Sequence, residues 1–191
     1  MKRFVLITAC LLLICGAVFY FVSVPRNLSS LTTVNGVFDT TGQSFKNTIF
    51  QLNGEWEFYN NRLYTPEDFV MGKPEGGTTI TTPKTRFEFD ISPYGFATYR
   101  LTFITDEPEL LMFIPEIGDA GVVWVNEIIV YEAGKPGRTG AETVPCVRNL
   151  FASLPLDNGR AEIVMQMTNF GWRTFLPQYS IEIGRPPPSR C

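Results

Sequence analysis

Apolar and polar residues alternate with a period of two along much of this chain. Trp56 and Phe58 alternate with Glu55 and Glu57, and Phe87, Phe89 and Ile91 alternate with Arg86, Glu88 and Asp90. Tyr99, Leu101 and Phe103 keep the same rhythm, as do Ala161, Ile163, Met165 and Met167. Successive side chains of an extended backbone point to opposite faces, so each segment sets one face on a core and the other in solvent. That is the signature of half-buried antiparallel strands.

Two runs, Leu110 to Ile114 and Gly121 to Val125, are apolar on both faces and suit central strands. Between the strand segments lie turn formers such as Gly72-Lys73-Pro74, Pro93-Tyr94-Gly95, Lys135-Pro136-Gly137 and Asp157-Asn158-Gly159. One stretch, Thr65-Pro66-Glu67-Asp68-Phe69, reads as a helix start, with Thr65 as N-cap and Pro66 at the first helical position. Many short strands, regular turns and almost no helix predict an all-β fold, an antiparallel β-sandwich of jelly-roll type.

The N-terminus differs. Met1-Lys2-Arg3 precedes Phe4 to Val24, 21 residues without a charge. As a helix this run would reach about 31 Å, the thickness of a bilayer core. It exceeds a usual signal-peptide core, ends in Phe19-Tyr20-Phe21 and has no Ala-x-Ala site. Two readings compete, a long signal peptide cleaved near Ser23 and an uncleaved signal anchor. The anchor is favoured, with Lys2 and Arg3 in the cytoplasm and the body outside a bacterial cell membrane. Residues 1–26 are thus expected to form a transmembrane segment, 27–48 a tether and first strand region, 49–185 the sandwich and 186–191 a proline-rich tail.

Composition excludes several chemistries. The 191 residues contain no histidine, which removes Ser-His-Asp and Cys-His nucleophiles and His-ligated zinc. With Lys2 and Arg3 set aside, 14 basic residues face 19 acidic ones and no basic run exists, so no nucleic-acid partner is expected. Cys146 and Cys191 are the cysteines outside the apolar run, which leaves one bridge open and no disulfide framework. Glu116, Asp119 and Glu142 fall in loops, but their spacing fits no calcium motif, and no metal or cofactor is expected.

Five segments in order resemble a known family. Leu52-Asn53-Gly54-Glu55-Trp56-Glu57-Phe58-Tyr59, Leu63 to Phe69, Tyr94 to Leu101 and Val123-Trp124-Val125-Asn126, followed by Met167-Thr168-Asn169-Phe170, resemble the extracellular domain of bacterial seven-transmembrane receptors with diverse intracellular signalling modules. That domain is similar to the sugar-binding jelly roll of family 2 glycoside hydrolases. The resemblance spans about Asn35 to Gly184. It implies a galactose-binding-like fold, a small-molecule or glycan ligand, signalling through a downstream module, and no catalysis, since family 2 hydrolases hold their catalytic carboxylates in a separate barrel. Alternatives are an anchored carbohydrate-binding or adhesion module, or a hydrolase fragment. Glu127 stands where the family usually has glycine after Asn126. That argues against a tight type I′ turn there, which requires positive φ at both central residues.

Among candidate site residues, Glu55 and Glu57 share one strand face and read as solvated rather than as an acid/base pair. Trp56 reads as core. The most site-like stretch is Asn169-Phe170-Gly171-Trp172-Arg173, where an amide, an aromatic face and a guanidinium meet at the end of a strand. Equally, Asn169 caps a turn and Trp172 seals the end of the sandwich. Trp124 and Tyr131 flank the neighbouring hairpin and are read as possible ligand contacts or as core.

Overall fold

The alternating segments become strands, and the phase of each alternation sets which side chains are buried. The computed structural model describes residues 27–83, 94–171 and 180–186. The apolar run Phe4 to Val24, the alternation at Phe87 to Ile91 and Cys191 lie outside the described residues. Among the described residues no helix is long and apolar enough to cross a membrane.

Twelve strands are described: β1 (Asn27–Leu28), β2 (Val37–Asp39), β3 (Thr48–Gln51), β4 (Gly54–Asn60), β5 (Thr78–Thr82), β6 (Gly95–Ile104), β7 (Leu111–Ile114), β8 (Ala120–Val125), β9 (Ile128–Ala133), β10 (Leu150–Ser153), β11 (Arg160–Asn169) and β12 (Glu182–Gly184). One short helix, α1 (Pro66–Val70), joins β4 to β5. β1-β3-β12-β7-β10 form one sheet; β5-β4-β6-β11-β8-β9 form the other, with β2 added in parallel on β6. All other pairings but β1 with β3 are antiparallel.

The sheets face each other across one core. Trp56, Phe58, Tyr99, Leu101, Phe103, Ile163 and Met165 come from the larger sheet, and Phe50, Met112, Ile114 and Ile183 from the smaller. The predicted β-sandwich is therefore the observed architecture. Phe38 of β2 meets Phe50 of β3 edge-on at 6.4 Å and lies over Phe103 of β6 at 6.1 Å, tying the layers together. Within residues 27–48, read as a tether and first strand region, Phe38 and Phe45 are both buried in the core. Burying a phenylalanine stabilises by roughly 1.5–3 kcal/mol, so this stretch is built into the fold.

Gly54 shows why the Asn53-Gly54 step opens β4. Its φ is +116°, and a Cβ there would come within 2.5 Å of the Thr33 carbonyl oxygen, where the chain crosses alongside. α1 begins as read: the Thr65 amide donates to Asp68 Oδ2 at 2.9 Å and Pro66 fills the first turn. That amide, with Lys73 and despite some burial, holds the Asp68 carboxyl below the usual range.

The β8–β9 hairpin corrects an expectation. Asn126 and Glu127 have φ of 47° and 70°, so both take the left-handed conformation that a type I′ turn needs, without glycine. A non-glycine residue there costs about 1–2 kcal/mol. The offset comes from Asn126, whose amide donates to the Pro155 and Arg160 carbonyls at 3.0 and 3.3 Å and accepts from the Glu162 N–H at 2.8 Å.

Candidate functional site

Among the described residues, the outer face of the smaller sheet carries exposed side chains. Register aligns Gln51 of β3, Glu182 of β12, Phe113 of β7 and Phe151 of β10 in one row across the strands. Phe50, Met112 and Ile183 point inward and are buried, so this row faces out by strand alternation. Phe151 is 69% exposed, and its ring centroid lies 4.8 Å from that of Phe113 at a tilt of 42°. The exposed Phe151 ring, packed on half-buried Phe113, leaves apolar surface in water that a ligand can cover.

Polar groups border this pair. Ser180 Oγ bonds to Asn53 Oδ1, Asn53 Nδ2 donates to Gln51 Oε1 at 3.3 Å, and Gln51 Nε2 donates to Glu182 Oε1 at 3.1 Å. On the opposite side Asn149 Oδ1 accepts from the Glu116 N–H at 2.8 Å, which fixes the loop after β7 against the entry to β10. Gln51, Phe113, Pro115, Glu116, Asn149, Ser180 and Glu182 together line an open cleft of about 410 Å³. That volume falls in the range of small-ligand sites, and ring, amide and carboxylate groups converge on it.

Of the residues singled out from the sequence, Asn169, Trp124 and Tyr131 fall among the described residues. Asn169 ends β11 and is fully buried on its inner face, opposite Gly95. The turn that leaves it is capped by Asp119, whose Oδ2 accepts from the N–H groups of Phe170 and Gly171 at 2.8 and 2.7 Å. Trp172 and Arg173 lie outside the described residues. Tyr131 is 1% exposed, belongs to the core, and donates its hydroxyl to the Arg148 carbonyl at 2.9 Å. Trp124 is half-buried, and strand alternation between buried Val123 and Val125 sets it on the outer face of the larger sheet. Trp124 and Tyr131 thus sit on opposite faces of one sheet, and one ligand on that surface does not touch both.

Glu55 and Glu57 do face outward, but Glu57 is engaged rather than freely solvated. Arg100 reaches Glu57 Oε2 at 3.2 Å and Glu162 Oε1 at 2.7 Å, and the Tyr59 hydroxyl donates to Glu57 at 2.9 Å. The Arg100 guanidinium also lies 4.7 Å from the Phe69 ring centroid. Partial burial works against its charge, yet Glu162 and Glu57 outweigh this and raise its pKa. Burial and the bond to Glu57 push the Tyr59 phenol up to about 12. Tyr59, Tyr64 and Phe69 pack edge to face, while Gln166 and Thr98 hydrogen-bond the backbone before α1. This constellation fastens α1 to the sheet, which accounts for its charges without a ligand. Asp119 caps its turn, and Glu142 accepts from the Arg138 N–H at 2.9 Å.

The cleft residues escaped the sequence reading. Leu110 to Ile114 read as apolar on both faces, which hid the outward side of Phe113, and β10 is four residues long. The alternation Ile181-Glu182-Ile183 was the available signal for Glu182.

No family model matches the chain, and no curated protein matches it. Among solved structures it is similar to β-glucuronidase from Ruminococcus gnavus, at 13% identity and a TM-score of 0.47 over 71% of this chain and 28% of that one. It is also similar to a GH2 β-galacturonidase from Eisenbergiella tayi crystallised with galacturonate, at 11% identity and a TM-score of 0.46, covering 72% of this chain and 24% of that one. The chain therefore spans under a third of either enzyme's length.

Proposed function

We propose that this chain is a membrane-tethered, extracytoplasmic binding domain that recognises a carbohydrate-like ligand without transforming it, on a galactose-binding-like jelly roll. The observation that carries the reading is exposed Phe151 against half-buried Phe113, in one row with Glu182 and Gln51. A sugar has an apolar C–H face and a rim of hydroxyls, so it needs a ring to stack on and fixed acceptors and donors beside it. The cleft offers both.

Strand topology supports the tether. β1 starts at Asn27, directly after the apolar run, level with Thr48 of β3. β12 runs the other way, with Ile183 level with Phe50, so its exit at Gly184 approaches the same end of the sheet. The two ends leave two strand spacings apart, about 10 Å. Glu116, Asn149 and Ser180 sit toward the opposite end, so a membrane at the Asn27 end leaves the cleft facing away from it. In this arrangement the domain serves as the sensor of a bacterial membrane receptor, reporting occupancy through its membrane-side end.

The test is calorimetric and glycan-array screening of the full chain in detergent, followed by Phe151→Ala. Loss of one stacking contact should weaken a bound glycan by roughly 5- to 50-fold. Binding that is unchanged by Phe151→Ala removes the cleft from the account. Protease added to intact spheroplasts should digest the sandwich, and full protection without lysis contradicts the outward topology.

A further inference from the structure

One side of the cleft is acidic: Glu182 lines it, and among the described lining residues there is no lysine or arginine. The nearby Arg148 guanidinium is engaged elsewhere, bonded to the Glu132 carbonyl and lying 5.9 Å from the Tyr131 ring centroid. Arg185 forms a two-pronged pair with Glu107 beyond the other end of β12.

Glu182 is also oriented. With Asn53 Oδ1 bonded to Ser180, the Asn53 amide turns its Nδ2 to Gln51, and Gln51 in turn presents its Nε2 to Glu182 Oε1. The relay runs toward the carboxylate and occupies one of its oxygens. The other, Oε2, has no protein donor among the described residues. Phe113 is the register partner of Glu182, so an aromatic ring stands directly beside this acceptor.

We infer that the cleft selects a sugar bearing a protonated amine, an unacetylated hexosamine unit, over its neutral counterpart and over a uronic acid. An ammonium donates to a carboxylate through a charge-assisted bond about twice as strong as a neutral one, and it is attracted to an adjacent ring face. A uronate brings like charge to Glu182 with no cation among the described lining residues to receive it. This inference rests on the reading of the cleft as a glycan site and adds its charge preference.

The experiment titrates the full chain in detergent at pH 6 with three oligosaccharides of equal length. These are a β-1,4-linked glucosamine oligomer, its fully N-acetylated form and an oligogalacturonate. The glucosamine oligomer should bind roughly 5- to 10-fold tighter than the acetylated form, and the uronate weakest. Raising salt from 0.05 to 0.5 M should shrink that preference in the unmodified chain, because the interaction is screened. Glu182→Gln, shown to be folded by circular dichroism, should bring the ratio near one. Equal or tighter binding of the acetylated form overturns the charge preference while leaving the glycan site standing. A preference that survives both high salt and Glu182→Gln also overturns it. Failure of all three sugars to bind removes the site and the inference together.

Discussion

Trp56→Ala tests how the larger sheet faces the core. Trp56 is 2% exposed, and its indole Nε1 donates to the Leu52 carbonyl at 2.9 Å, locking β4 to the segment that follows β3. Removing a buried indole forfeits its transfer energy and leaves a cavity, together about 3–5 kcal/mol. The Leu52 carbonyl then loses its donor, which adds up to about 1–3 kcal/mol where water does not replace it. At about 3 °C per kcal/mol for a domain of this size, Tm should fall by roughly 10–25 °C. Trp56→Phe separates the two contributions: it keeps most of the ring, removes the N–H, and should cost about 1–3 kcal/mol. Thermal and urea unfolding followed by circular dichroism at a β-sheet wavelength would measure both. A loss below about 1 kcal/mol for Trp56→Ala would show the indole to be exposed and refute the assigned facing of β4.

Two further perturbations follow from local geometry. Glu127→Gly should stabilise by about 1 kcal/mol in urea unfolding, because Glu127 holds φ at 70° and glycine takes that conformation without strain; an unchanged or lower midpoint contradicts the turn assignment. Tyr59 ionises near 12 in the fold against 10.0 for the free phenol, first through burial and then through its bond to Glu57. The folded state holds that proton more tightly, so its contribution is complete below pH 10 and is lost as pH climbs toward 12. Tyr59→Phe should flatten the fall in stability over that window without abolishing it, since burial raises Tyr99 and Tyr131 in the same direction. An unaltered slope in pH-dependent urea titrations argues against the Tyr59 environment described.

What was legible in the sequence is what local periodicity encodes. Glu55-Trp56-Glu57-Phe58 carries enough alternation to fix its phase, and Thr65-Pro66 marks the start of α1 through capping chemistry alone. β2 and β10, with three and four residues, are too short to display a period, so Phe38 and Phe151 gave no sign of facing in and out respectively. Trp124 and Tyr131 were ambiguous for a different reason. Trp124 lies in a run apolar on both faces, and the pairing with β9 shifts between Val123 and Trp124, so spacing counted across the hairpin does not report which face Tyr131 takes. The cleft was hidden because it forms between distant segments: Gln51 and Glu182 are 131 residues apart in the chain and meet only through the β3–β12 pairing. Each of its residues is ordinary alone, and only the register puts ring, amide and carboxylate side by side.

The central claim is that ligand binds on the outer face of the smaller sheet, and hydroxyl-radical footprinting tests it most directly. Phe151 is 69% exposed and should oxidise readily in the free chain. With a saturating glycan from the screen, the account predicts marked protection of Phe151, a smaller protection of half-buried Phe113, and little change at Trp124 or Tyr94 on the larger sheet and its flanking loop. Protection confined to Trp124, with Phe151 oxidised as fast as before, would contradict it.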